Sequence, residues 1–127
     1  MKNKELFSHF AMVIAAANIE KSKKFYTGSL GFTITFEWGS PTTYVVMKRG
    51  EYVSLHLTKD PHKSRPSPVA TSAYIFVHDI DLLHQEFIER DVEIYNPIDN
   101  RDYGMRDFDI LDPDGYILTF GTAVEKD

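Results

Sequence analysis

The side chains able to bind a metal or move a proton are five histidines and nineteen carboxylates, and there is no cysteine. The missing thiols exclude thiolate zinc sites, iron–sulfur clusters and cysteine nucleophiles, and they fit a reducing compartment without proving one. Ser54 and Ser72 lack a nucleophile elbow or a partnered base, and no glycine-rich phosphate loop is present. Tyrosine and histidine together leave acid–base work open without selecting it. His62 lies in a proline-rich stretch and His84 in a helical pattern, so both read as surface residues. The densest acidic run is Asp99, Asp102, Asp107, Asp109, Asp112 and Asp114, answered by Arg101 and Arg106. It is either a solvated face or a surface that attracts a cationic ligand. Trp38, Tyr44, Tyr103 and Phe108 would add rings on which a flat cation stacks.

One chain of 127 residues has to position these groups. Such a chain buries roughly two thirds of its unfolded surface and folds without disulfides or a structural metal. With 43% hydrophobic and 26% charged residues, the composition excludes disorder, collagen and coiled-coil rods. A net charge of −5 argues against a nucleic-acid partner. The charge is uneven: residues 1–60 carry 8 basic and 5 acidic groups, residues 61–127 carry 6 and 14. Lys2 and Lys4 before the apolar run Phe10–Ala17 imitate a signal peptide, but the run is short and Glu5, Ser8 and His9 interrupt its lead-in. No apolar run is long enough to span a membrane, and a cytoplasmic location is expected.

The elements follow from periodicity. Phe7–Ala16 reads as a strand and Ile19–Ser29 as a helix capped by Asn18. Phe32, Ile34, Phe36 and Trp38 alternate with polar residues as a half-buried strand, with Phe32, Ile34 and Phe36 assigned to core. Thr43–Lys48 and Tyr52–Thr58 form a hairpin around Arg49-Gly50. A linker rich in proline and charge covers 59–69. Ala70–Val77 is then a strand, Ile80–Arg90 a helix capped by Asp79, and Val92–Tyr95 a short strand. A polar loop from Asn96 to Met105 precedes a hairpin of Arg106–Leu111 and Tyr116–Thr122 around Asp112-Pro-Asp-Gly115. The halves repeat: Ile14–Glu20 aligns with Ile75–Asp81 at an offset of 61, placing Tyr26 on Phe87, and Gly50–Leu55 aligns with Gly115–Phe120 at an offset of 65. The expected fold is α+β: a single domain of two tandem βαβββ modules, 7–58 and 70–122, forming a curled mixed sheet around a cleft.

Asn18-Ile-Glu-Lys-Ser-Lys-Lys-Phe-Tyr26 with Leu30-Gly-Phe32, and Asp112-Pro-Asp-Gly115 with the apolar strand after it, resemble motifs of the vicinal-oxygen-chelate superfamily. That group includes glyoxalases, bleomycin-resistance proteins and extradiol dioxygenases. Tyr103-Gly-Met-Arg-Asp-Phe before the turn is most similar to the bleomycin-resistance branch, with Met105 as an extra residue. The resemblance covers about residues 7–122.

Enzymes of the superfamily hold a divalent metal with histidine and glutamate inside the cup. The resemblance places those positions on Ala11, Ser54, Ser72 and Thr119, none of which supplies an imidazole or carboxylate. No metal or other cofactor is expected. A shifted site built on His9, His56 and a carboxylate stays open as the alternative, and His78 shares the face of Ser72. Strand parity puts Phe10, Met12, Ile14, Val53, Leu55, Leu57, Ala73, Ile75, Val77, Leu118 and Phe120 under the helices. The opposite face carries rings, hydroxyls and small residues, as a ligand pocket does. The candidate ligand-binding residues are therefore Trp38, Tyr52, His56, Tyr74, Phe76, Tyr103, Phe108 and Thr119, with no catalytic residue assigned. The resemblance implies a homodimer that sequesters a small molecule, of which a cationic glycopeptide antibiotic is one example. The alternative is a lyase, transferase or dioxygenase-like enzyme of the same superfamily.

Overall fold

The computed structural model describes residues 5–60, 66 and 70–125. Its first half runs β1 (Ala11–Ala16), α1 (Ile19–Lys24), β2 (Thr33–Trp38), β3 (Tyr44–Arg49) and β4 (Val53–Lys59). Its second half runs β5 (Ala73–Phe76), α2 (Ile80–Glu89), β6 (Ile94–Asn100), β7 (Met105–Leu111) and β8 (Ile117–Ala123). Each half is a four-stranded mixed sheet, ordered β1-β4-β3-β2 and β5-β8-β7-β6. The first and fourth strands of each half pair in parallel, and all other pairings are antiparallel. Most of the linker expected over 59–69, His62 included, lies outside the described residues. Among the described residues no helix is long and apolar enough to cross a membrane.

The repeat has a physical basis at both helix starts. Asn18 accepts from the Lys21 amide and Asp79 from the Leu82 amide, each at 3.1 Å, which satisfies a donor the helix cannot. Tyr26 and Phe87, aligned by the repeat, are both buried. Tyr26 sits in a π-helical turn, Phe25–Ser29, that extends α1. The chain leaves it through Gly31 at φ 76°, a left-handed conformation suited to glycine. A Cβ at Gly31 would also lie 2.9 Å from Arg49 Nη1.

One apolar cluster joins the two halves, drawing Ile14, Tyr26, Leu30, Phe32, Met47 and Leu57 from the first and Phe87, Phe108, Ile110, Leu118 and Phe120 from the second. Phe87 stands edge-on to Phe108 and Phe120, with centroids 6.0 and 5.2 Å away. Such pairs add about 0.5–1.5 kcal/mol each beyond the area they bury. Polar ties cross the same boundary. Arg49 grips Glu86 of α2 with Nη1 and Nη2, at 2.6 and 2.9 Å. Tyr26 Oη donates to Asp112, and the Ala17 amide donates to Asp114.

Two boundaries and the facing of one residue differ from the sequence reading in ways that bear on the site. β1 begins at Ala11 rather than Phe7, because its pairing with β4 begins at Ala11 opposite Ser54, one residue into β4, and Leu6, Phe7 and Phe10 are left exposed. β6 runs on to Asn100, so the expected polar loop is mostly strand. Asn96, Asp99 and Asn100 pair with β7 despite their low strand propensity. Phe36 is not core. A bulge at Thr35 lets Ile34 pair with Met47 on the helix side while Phe36 pairs with Val46 on the other face.

Candidate ligand-binding site

Strand register builds the two helix-free faces row by row. On the first sheet one row is Phe36, Val46, His56 and Val13, and the next is Trp38, Tyr44 and Thr58. On the second sheet one row is Asn96, Asp109, Thr119 and Tyr74, and the next is Asp99, Asp107, Gly121 and Phe76. The residues between these rows, such as Met47, Leu55, Phe108 and Phe120, point into the core.

The first face is aromatic. Phe36, Trp38, Thr43, Tyr44, Thr58 and Lys59 line a cavity of about 370 Å³, and Trp38 is 65% exposed. Beside it the Tyr44 hydroxyl lies 2.6 Å from His56 Nδ1. With Tyr44 as donor, the imidazole proton sits on Nε2.

The second face is polar and tightly bonded. Its cavity of about 500 Å³ is lined by Thr71, Tyr74, Asn96, Pro97, Arg101, Tyr103, Asp107, Asp109 and Thr119. Asp107 accepts from Tyr74 Oη at 2.8 Å, Tyr103 Oη at 2.5 Å and Arg101 Nε at 2.8 Å. Burial pushes its carboxyl up, but these three donors outweigh burial and hold it below the usual aspartate value. In return, burial and Asp107 raise the Tyr74 phenol, and the hydrogen bond to Asp107 raises that of Tyr103. Asp109 accepts from Asn96 Nδ2 and from Thr119 Oγ, the latter at 2.6 Å. No ion pair among the described residues involves Asp109.

A third cavity, about 580 Å³, separates the edge strands β1 and β5. It is lined by Phe10, Ala11, Tyr52, Ser54, Ser72, Tyr74 and Phe76, among others.

The structure thus distributes the sequence-derived candidates. Trp38 and His56 lie on the first face, Tyr52 and Phe76 at the gap between sheets, and Tyr103 and Thr119 on the second face. Tyr74 lines both the gap and the second face. Phe108 is 0% exposed and stacks on Phe120, so it is core and not a rim ring. Its register with Phe120, already placed under the helices, is the reason. Phe36, Asn96 and Thr71 were missed. Only the bulge, which periodicity does not reveal, turns Phe36 outward.

The acidic run is likewise divided. Asp112 is buried beneath Tyr26, and Asp114 accepts from Ala17 and Ser22, so both hold the β7–β8 turn to α1. Arg106 pairs with Asp81 of α2. Arg101 neutralises Asp107. Asp109 alone carries uncompensated charge into the second cavity.

Residues 6–120 match the family model of the glyoxalase/bleomycin resistance protein/dioxygenase superfamily. The chain belongs to this superfamily. No curated protein matches it. Among solved structures, a bleomycin-binding protein from bleomycin-producing Streptomyces verticillus, complexed with copper(II)-bleomycin, is 26% identical with a TM-score of 0.73 over 96% of this chain and 100% of that one. A superfamily protein from Alicyclobacillus acidocaldarius is 17% identical, with a TM-score of 0.79 over 93% and 92%. A glyoxalase-related enzyme from Clostridium phytofermentans is 19% identical, with a TM-score of 0.76 over 97% and 100%.

The superfamily's metal chemistry needs imidazole and carboxylate donors, and the residues here do not fit it. Ala11 and Ser54 are neighbours in register. In the second half the alignment slips by two residues, so Thr119 faces Tyr74 instead of Ser72, and its hydroxyl is spent on Asp109 and Thr71. Among the described residues no three of histidine, aspartate and glutamate gather as a metal-ligating group.

Proposed function

We propose that this superfamily member binds a cationic organic molecule with a flat aromatic part, as a cationic glycopeptide antibiotic has, and sequesters it without transforming it. The observation that carries the reading is the contrast between the two faces. One offers Trp38, Phe36 and Tyr44 as apolar ring surface, and the other offers Tyr74, Tyr103 and the uncompensated Asp109. Rings and apolar wall supply affinity, and one carboxylate supplies preference for positive charge. The bleomycin-binding protein among its structural neighbours supports the same ligand class.

The two faces belong to separate sheets, and β1 and β5 are edge strands that pair on one side only among the described residues. Exposed Phe10, Tyr52 and Phe76 line the gap, and Leu6 and Phe7, ahead of β1 in the chain, are exposed as well. Unpaired edges and apolar surface of this kind invite association. Our reading is a two-fold homodimer in which the first face of one copy meets the second face of its partner, making the ligand cleft. Light scattering at micromolar concentration should return twice the chain mass. A monomer that still binds ligand would remove the dimer from the account.

The Tyr44–His56 pair favours a second reading, metal-free acid–base catalysis. Incubation with a candidate ligand followed by mass analysis separates the two. Unchanged ligand supports sequestration, and a product lost in His56→Ala supports catalysis.

A further inference from the structure

An exposed phenol ordinarily hydrogen-bonds to water, and its ring moves freely among rotamers. Tyr103 departs from this. Its side chain is 67% exposed, yet its hydroxyl is tied to Asp107 Oδ2, a carboxylate only 3% exposed. Tyr74, which also lines the cavity, donates to the same oxygen. Arg101 holds the opposite oxygen with Nε and anchors itself with Nη2 on the Pro97 carbonyl at 2.6 Å. The strand beneath is cut away to permit this. Gly121 sits opposite Asp107 in register, and a Cβ there would lie 2.2 Å from Tyr74 Oη and 3.0 Å from Asp107 Cβ. A single side chain at 121 would therefore collide with the phenol on its way to the carboxylate.

We propose that Asp107 is a positioning residue that fixes the Tyr74 and Tyr103 rings as a preset wall of the second cavity, against which a flat aromatic or heteroaromatic part of the ligand stacks. This rests on the reading of the cavity as a ligand site. Asp107 itself is paired with Arg101 and already accepts from three side-chain donors, so its charge is spent on holding the rings. Asp109, two residues along the same face, is the carboxylate left for the ligand's charge. Fixing a ring before binding removes the entropy loss that stacking would otherwise incur.

The test uses full-length protein carrying tyrosine labelled with carbon-13 at Cζ, followed by NMR through the alkaline range. Tyr103→Phe and Tyr74→Phe assign the two resonances. In the wild type Tyr103 should titrate above the ordinary phenol range, and in Asp107→Asn it should return to it. Calorimetry with copper(II)-bleomycin then reads the consequence. Tyr103→Phe keeps the ring and loses the tether, and should bind roughly three- to ten-fold more weakly, mostly through entropy. This variant changes an exposed residue, so it keeps the test decisive if Asp107→Asn does not fold. Tyr103 titrating as a free phenol in the wild type, or Tyr103→Phe binding as the wild type does, overturns the proposal. Failure of the wild type to bind copper(II)-bleomycin counts against the ligand reading instead, and the phenol titration alone then decides the positioning role.

Discussion

Tyr26 Oη donates to Asp112 Oδ2 at 2.8 Å, joining the first module's helix to the second module's closing turn across 86 positions of sequence. Both residues are buried, and the Asp114 and Tyr116 amides supply the other donors to Asp112. Tyr26→Phe removes one donor and leaves the carboxylate under-satisfied, at an expected cost of roughly 1–3 kcal/mol in urea denaturation. Burial raises the Asp112 carboxyl above its usual value, so its contribution favours the folded state below the unfolded pKa and is lost as pH rises through the folded one. The penalty of Tyr26→Phe should therefore shrink as the pH falls through this raised value, before the ordinary aspartate range of about 4 is reached.

Acid should destabilise the protein through two other carboxylates. Asp107 and Glu86 are both held below their usual values, Asp107 by its three donors against burial and Glu86 by Arg49. Their contribution is complete above the unfolded pKa and is lost as pH falls through the folded one, below about pH 4. Arg49 and Glu86 side chains are 37% and 30% exposed, so solvent screening reduces their share. Stability measured at pH 7, 5 and 3 should fall toward pH 3 in the wild type and fall less steeply in Asp107→Asn. Parallel curves would show that Asp107 does not carry the acid limb.

Divalent metal should be dispensable. The positions Ala11, Ser54, Ser72 and Thr119 offer at most hydroxyl oxygens. Elemental analysis after growth with added zinc, nickel and manganese should find no stoichiometric metal, and chelator should leave the melting temperature unchanged. A bound metal ligated by His9 or His56 would reverse this.

Charge preference should reside in one carboxylate. Asp109→Asn should lower affinity for a flat cation and flatten its salt dependence. Asp102→Asn should change neither, because Asp102 is exposed and lines none of the cavities described here. Tyr103→Ala should cost more than Asp102→Asn, roughly ten-fold in affinity, because a stacking ring is lost. Equal losses at positions 102 and 109 would mean a diffuse acidic field in place of a defined partner.

Much of this architecture was legible in the residues because period and capping are local. Asn18 and Asp79 marked both helices, and Gly50 and Gly115 marked hairpin turns that the structure places at φ 76° and 90°. Parity likewise placed His56, Tyr74, Phe76 and Thr119 on the helix-free faces. What escaped was set by long-range pairing. The bulge at Thr35 moved Phe36 outward, and pairing with β7 extended β6 through polar residues. Phe108 took its face from Phe120 across the hairpin. The division of the acidic run was hidden for the same reason. Whether an aspartate meets Arg101, Tyr26 or nothing depends on partners brought together by folding.

Sequestration is tested most directly by calorimetry of the wild-type protein with copper(II)-bleomycin at low and moderate salt, with the ligand's mass measured after recovery. The account predicts saturable binding that weakens with salt without vanishing, loss of affinity in Trp38→Ala and Tyr103→Ala, and ligand recovered unchanged. No binding of this or any flat cation, together with tight binding or turnover of a small anion, would contradict it.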